Sequence, residues 1–354
     1  MSVATVEPKT RLDIARAGKK TDMNFKILHE FPTAALERAW RDCLGRVDCP
    51  AHYNTPEYFL EPYFTGRRPF AVLALEGDEV GGVLTGLHEE NQVHCGLPSR
   101  PQICVDPTKD GNAAQRALMQ GLLSEAGGAE LIAAFTWASL ELPVFAGHGF
   151  RRRALSGNVV LDLSSGADAL FQQFSKDRRR NIRFAEKNGV EVELATGARD
   201  IAEAYEVYTA WRHTARKELY GATHSFEVFE RSAQLTNSRR LFLARFEGRV
   251  IAMNVFRFCP AGLFESAANS SLDEFIHLKP NDLLQWRGIQ WACSQGLRRH
   301  SLGGSHQFLI RFGGTVVPII RYRLDRSRLR KHDLRDAIRD LGRETLRKLH
   351  LRSK

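Results

Sequence analysis

The chain has 354 residues, 43% of them hydrophobic and 26% charged, with a formal net charge of +10 and an isoelectric point near 9.5. This is the composition of a soluble globular protein, long enough for two ordinary domains with separate cores. Its longest uncharged apolar run, 131–140, is too short to span a bilayer, and its basic balance favours an anionic partner: nucleic acid, a phosphorylated substrate, CoA or a membrane surface.

The first 23 residues are polar, without the apolar core of a secretory signal, and are expected to be disordered or loosely attached. Cysteines 43, 49, 95, 104, 259 and 293 are scattered, with no CxxC pair and no zinc spacing. They read as reduced thiols in a cytoplasm. A first strand is predicted over 25–31 and helices over 33–46 and 55–64. Strands at 69–75 and 79–88 flank a Gly77-Asp78 hairpin turn. Shorter strands at 91–97 and 102–105 follow, then a helix over 112–126, a buried strand over 131–137, a short helix over 140–146 and a strand over 153–163.

The order then repeats. A basic helix is predicted over 168–188, a strand over 190–194, and helices over 200–218 and 226–235. Strands 240–246 and 249–258 form a hairpin around Glu247-Gly248, and a strand begins at Leu263. Pro280 is preset for the first turn of a helix that Gly296 ends. A strand over 298–302 leaves through Gly303-Gly304, before Phe308 and Phe312-Gly313-Gly314. Two similar units, 24–163 and 164–325, are expected, with a basic helix over 326–354.

Two stretches carry a family resemblance. Pro280-Asn281, Leu283-Leu284, Trp286, Gly303-Gly304 and Phe308…Phe312-Gly313-Gly314 resemble the end of the second domain of the FemAB family. These are peptidyl and aminoacyl transferases of the GNAT superfamily, related to the BioF-like acyltransferases of exopolysaccharide gene clusters. Arg179…Ile182-Arg183-x-Ala185-x-Lys187-x-Gly189-Val190 is similar to a helix of the same family. Two positions depart from its pattern: Leu309 stands where the family has an active-site Lys, and Ser301 where it often has Asp.

The resemblance implies an α/β (α+β) fold of two tandem GNAT-like units, each a mixed, mostly antiparallel sheet flanked by helices. It implies direct acyl or aminoacyl transfer to an amine or hydroxyl of a cell-envelope or exopolysaccharide precursor, small or lipid-linked. The donor is acyl-CoA or aminoacyl-tRNA, used as co-substrate, with no tightly bound cofactor and no metal. A non-catalytic member that binds an anionic ligand is the alternative. No Walker loop, GxGxxG or GxSxG is present, so nucleotide hydrolysis and α/β-hydrolase chemistry lack support. Neither unit has a good pyrophosphate loop: 108–113 places Asp110 where a phosphate would sit, and 277–282 has no glycine.

Glu265 is the first catalytic candidate, because a carboxylate in an apolar strand is costly unless it serves a cleft. His306 is an acid–base candidate or a surface histidine, and Arg311 either replaces the missing lysine's charge or pairs with a carboxylate. Arg179 and Arg183 on the basic helix, and Lys279, are candidates for an anion. Asn269 and Asn281 suit substrate amides or turn and cap roles, and Phe308 belongs to the motif. Tyr205, Tyr208 and Trp211 lie at helical spacing and read as core, with His213, Arg216 and Lys217 following. In the tail, Arg335 and Arg339 begin a basic stripe beside Asp336 and Asp340. The helix there reads either as a docked, solvated helix or as a contact for an anionic membrane or tRNA.

Overall fold

The computed structural model describes residues 22–64, 66–97, 100–214, 223–260 and 262–352, with side chains as far as residue 342. The loose tail expected over 1–23 falls almost wholly outside the described residues, as do Arg216 and Lys217.

Hairpins build the first half of the sheet. β1 (Asn24–Leu28) pairs antiparallel with β2 (Arg68–Glu76), which turns into β3 (Glu79–Glu89). Gly77 makes that turn at φ +60°, a conformation that favours glycine. β4 (Gln92–Leu97) runs antiparallel to β3 and parallel to β7 (Leu131–Trp137). Between them lie two short strands, β5 (Arg100–Pro101) and β6 (Ile103–Val105). Two helices flank this half. α1 (Ala34–Arg46) buries Trp40, Cys43 and Leu44 against Ala71, Leu73 and Val83. α2 (Gly111–Ala126) packs Ala114, Leu118 and Leu122 against Phe70, Val72 and Ala74 on the opposite side of the sheet. This is the period-2 alternation of a strand buried on both faces. The short α3 (Pro143–Gly147) leads into β8 (Arg151–Asp162).

The second half repeats the plan. α4 (Gly166–Gln173) and α5 (Lys176–Lys187) precede the edge strand β9 (Glu191–Leu194). After α6 (Ala198–Arg212) and α7 (Phe226–Ala233) come β10 (Arg239–Phe246), β11 (Arg249–Phe258) and β12 (Leu263–Ser271), antiparallel in turn. α8 (Pro280–Ser294) then carries the chain to β13 (Arg299–Ser301), which is parallel to β12. α5 and α8 cover one face through Ile182, Leu284 and Ile289, while α6 and α7 cover the other through Val207, Tyr208 and Phe229.

The chain ends with α9 (Gln307–Ile310), β14 (Thr315–Asp325) and α10 (Lys331–Arg352). β14 leaves the second half and inserts between β7 and β8, antiparallel to both. Among the described residues the result is one sheet of order β1-β2-β3-β4-β7-β14-β8-β13-β12-β11-β10-β9, with β5 and β6 off this path. Read from either edge, each half presents a meander, then a parallel pair, then the central β14–β8 pair that both halves share. An apolar cluster that includes Phe135, Trp137, Val160, Leu263 and Ile319 fills the join. The change of repeat near residue 163 is therefore not a break in the sheet.

Two predicted elements differ. The segment 55–64 is not an α-helix but short 3-10 turns, Pro56–Leu60 and Pro62–Phe64, because Pro62 removes a backbone donor. The basic helix divides at Phe174–Ser175, where the Ser175 hydroxyl accepts from Arg178 N–H and caps α5.

Candidate functional site

The parallel pair β12–β13 is short. Its register runs from Leu263–Arg299 to Glu265–Ser301 and stops. Beyond Glu265, β12 continues to Ser271 paired with β11, while β13 turns away through Gly303-Gly304. The two strands part at Glu265. Gly303 sits at φ +80°, and a Cβ there would lie 3.2 Å from the Ser266 carbonyl oxygen, so the turn stays close to the opening.

Glu265 is buried and its pKa is raised, because burial disfavours the charged form more than Arg100 and Arg257 favour it. The backbone N–H of His52 also donates to it. On the neighbouring strand, Arg257 is its register partner. Arg257 is 6% exposed and lies over the Tyr53 ring at 4.9 Å and the Tyr63 ring at 5.8 Å. Its Nη2 approaches Glu61 at 3.6 Å, while its Nε and Nη1 are buried without a partner. Arg100, from the first half, lies over the other reach of Tyr53 at 5.9 Å and donates to the Ala267 carbonyl at 3.2 Å. Burial works against ionised Glu61, yet the Arg257 and Arg239 charges hold its carboxyl down to about 2.

Tyr53, Tyr63 and Arg100 from the first half and Trp211, Arg257 and Asn269 from the second line a cleft of about 890 Å³. Glu265 and Glu61 lie behind this lining, next to Arg257. The cleft is aromatic with buried guanidinium groups, suited to a flat or anionic ligand.

On the opposite face, α5 and α8 meet through a buried ion pair of Arg178 with Asp282, which also accepts from Asn181 at 3.4 Å. The Arg178 guanidinium lies 4.2 Å over Phe308 and 5.7 Å over Phe312. The motif phenylalanines thus form the bed of a cation supplied by α5. Leu309, at the position of the family's lysine, is buried in the core.

α8 starts at Pro280, with Lys279 as its N-cap at φ +62° and no side chain capping its first N–H groups. The start of α2 is different. There the Asp110 carboxylate accepts from Asn112 and Ala113 N–H, and Lys109 is engaged by Glu76 and Glu79. A phosphate at α2 would meet the capping carboxylate; at α8 it would meet a lysine and a helix start with no side-chain cap, whose first-turn carboxylate, Asp282, is already paired with Arg178.

The structure places the predicted site residues in two groups. Glu265 and Asn269 stand on β12, Asn269 lining the cleft. Lys279 and Asn281 stand at the start of α8, where Asn281 Nδ2 donates to Ser271 at 3.2 Å and its Oδ1 is buried without a partner. Phe308 lies beneath Arg178, while Arg179 bonds Gln172 and Arg183 lies over Phe171, both on the outer side of α5. His306 is exposed, caps α9 and stacks on Phe308 at 6.1 Å. Arg311 is exposed, and its carbonyl accepts from Ser175 N–H.

Sequence reasoning missed Arg257, Arg100 and Tyr53. Arg257 carried the same signal as Glu265, a charge inside an apolar strand, and is its cross-strand neighbour.

Residues 172–310 match the family model "Acetyltransferase (GNAT) domain". The match lies within the second half and takes in the β12–β13 opening. The chain's fold, tandem GNAT units with a C-terminal helix, is similar to that of FemX, with a TM-score of 0.65, 15% identity, and 85% of this chain and 98% of that one covered. The C-terminal domain of a putative lysylphosphatidylglycerol synthetase from Agrobacterium fabrum is similar at a TM-score of 0.58 and 13% identity, covering 86% of this chain and 96% of that one. A tandem GNAT protein from the clavulanic acid biosynthesis pathway is similar at a TM-score of 0.56 and 13% identity, covering 86% and 99%. A search of curated proteins returns no match.

Proposed function

We propose that the chain is an acyltransferase of the GNAT superfamily, in which the second unit holds the acyl donor and the cleft between the halves holds the acceptor. Transfer takes place where β12 and β13 part. The observation that carries this reading is Glu265: a buried carboxyl of raised pKa at the last paired position of the two strands, beside the Arg257–Arg100 cleft.

The chemistry follows from the placement. The donor's acyl carbonyl enters the gap between the strands, and its anionic part lies toward Lys279 and the uncapped N–H groups of α8. Glu265 takes the proton from the acceptor amine or hydroxyl as that atom attacks the carbonyl. Backbone N–H groups at the strand gap stabilise the oxyanion, whose collapse breaks the donor's C–S or C–O ester bond and releases protonated CoA or tRNA. Arg257 and Arg100, held over the Tyr53 and Tyr63 rings, fix an anionic group of the acceptor. Arg178 and Phe308 brace α5 on α8 and so fix the donor end.

The acceptor is an amine or hydroxyl of a cell-envelope or exopolysaccharide precursor, and the donor an acyl-CoA or an aminoacyl-tRNA. The likeness to FemX and to the lysylphosphatidylglycerol synthetase domain supports the cell-envelope class. The match to an acetyltransferase domain supports a thioester donor. Among the described residues no helix is long and apolar enough to cross a membrane.

The test uses acetyl-CoA with the free thiol followed by a chromogenic disulfide, and charged tRNA in parallel, each with a panel of amino sugars and envelope precursors. Acceptor-dependent release that disappears in Glu265→Gln, with the fold retained, supports the reading. Full turnover in Glu265→Gln excludes it.

A further inference from the structure

The C-terminal helix divides its charges by face. Asp333 bonds Arg323, Arg151 and Arg330. Asp336 bonds Arg321, Arg323 and Arg153, and Asp340 bonds Arg153. All three acids of this stretch are therefore spent on docking α10 to β14 and β8, and Asp333 is itself buried.

What faces outward is apolar and basic. Leu334, Ile338 and Leu341 are 55%, 61% and 65% exposed. Arg335 and Arg339 lie on the next stripe round the helix and are exposed as well, while Lys331 at the head of that stripe pairs with Glu130. At about 100° per residue, the acidic stripe lies roughly opposite the border between the apolar and basic stripes. Leu329, 85% exposed, and the exposed Arg328 lie in the turn just before the helix.

A merely solvated helix has no use for a row of exposed leucine and isoleucine, and its charges would be mixed on the outside. Here Asp333, Asp336 and Asp340 are paired toward the body, and the chain carries a net charge of +10. We infer that α10 lies on an anionic lipid surface, with Leu334 and Ile338 entering the headgroup–acyl boundary and Arg335 and Arg339 on the headgroups. An RNA duplex or single strand would reward the arginines but leave the aliphatic row in water. The apolar stripe selects the membrane. This inference stands apart from the reaction chemistry, because none of these side chains borders the cleft.

The experiment is co-sedimentation of the full chain with vesicles of phosphatidylcholine alone and of phosphatidylcholine with phosphatidylglycerol, across a salt series. The wild type sediments with the anionic vesicles only, and less so as salt rises. Leu334→Ser with Ile338→Ser lowers binding by more than about tenfold. Each of Arg335→Gln and Arg339→Gln lowers it about fivefold. An unchanged melting temperature in all variants shows that α10 stays docked, since the substituted positions are exposed. No sedimentation of the wild type with anionic vesicles overturns the inference, and so does binding that the serine variant keeps. Binding of tRNA that the serine variant keeps, with no vesicle binding, assigns the helix to RNA instead.

Discussion

The two halves share a plan and differ at the place where chemistry is expected. In the first half, the parallel pair β4–β7 does not open: past Ala134, Gln102 N–H donates to the Phe135 carbonyl and Thr85 N–H donates to the Gln102 carbonyl, which closes the gap. The following helix, α2, is capped by its own Asp110. In the second half, the ladder stops at Glu265–Ser301 and α8 begins without a side-chain cap. The same architecture is sealed in one copy and open in the other. The difference lies in a small change of strand pairing and in the carboxylate that caps α2.

The largest expected effect is at the opening. Glu265→Gln is expected to lower turnover on the order of 10²–10⁴-fold, the usual contribution of a general base. Its folded pKa is raised, so the ionised form destabilises the fold as pH rises above the ordinary value of 4.5 through the raised one. Removing that charge does not lower the melting temperature at neutral pH. A large loss of stability instead makes Glu265 a structural residue.

Next is the brace between α5 and α8 in the second half. Arg178→Ala leaves Asp282 buried without its cation, at a cost of about 3–5 kcal/mol in urea unfolding. A change within about 0.5 kcal/mol, as at an ordinary surface site, excludes the brace.

A pH effect follows from His300, also in the second half. It is buried, bonded to Gln285 and to the Phe264 carbonyl, and burial lowers its pKa from 6.5 to about 4. The fold holds the neutral ring. Its contribution is complete above pH 6.5 and is lost as pH falls toward about 4. The melting temperature should drop over that window, and His300→Gln should flatten the drop.

The smallest effect separates the two helix starts. Asp110→Ala removes a cap and costs about 1 kcal/mol of stability, with no effect on donor binding.

Much of this plan was legible in local sequence. The hairpins at Gly77-Asp78 and Glu247-Gly248, α8 with its Pro280 start and β13 before Gly303-Gly304 all carry their own turn and cap signals. β14 carries none: TVVPIIRYRLD holds a proline and three charges, and its place is set by partners at 131–137 and 151–160. Glu265 was legible because a carboxylate stood in an apolar strand. Its neighbour Arg257 stood in one too, but its meaning depends on Tyr53 and Glu61, roughly two hundred residues earlier, and only the fold brings them together.

The most direct test is thermal unfolding with acetyl-CoA, and separately with charged tRNA, on the wild type, Lys279→Ala and Asp110→Ala. A ligand at about a hundred times its Kd stabilises by about 2.7 kcal/mol. One of the two donors should raise the wild-type melting temperature, Lys279→Ala should diminish that rise, and Asp110→Ala should keep it. A rise with neither donor, or one that Asp110→Ala abolishes and Lys279→Ala leaves intact, contradicts the assignment of the donor to the second unit.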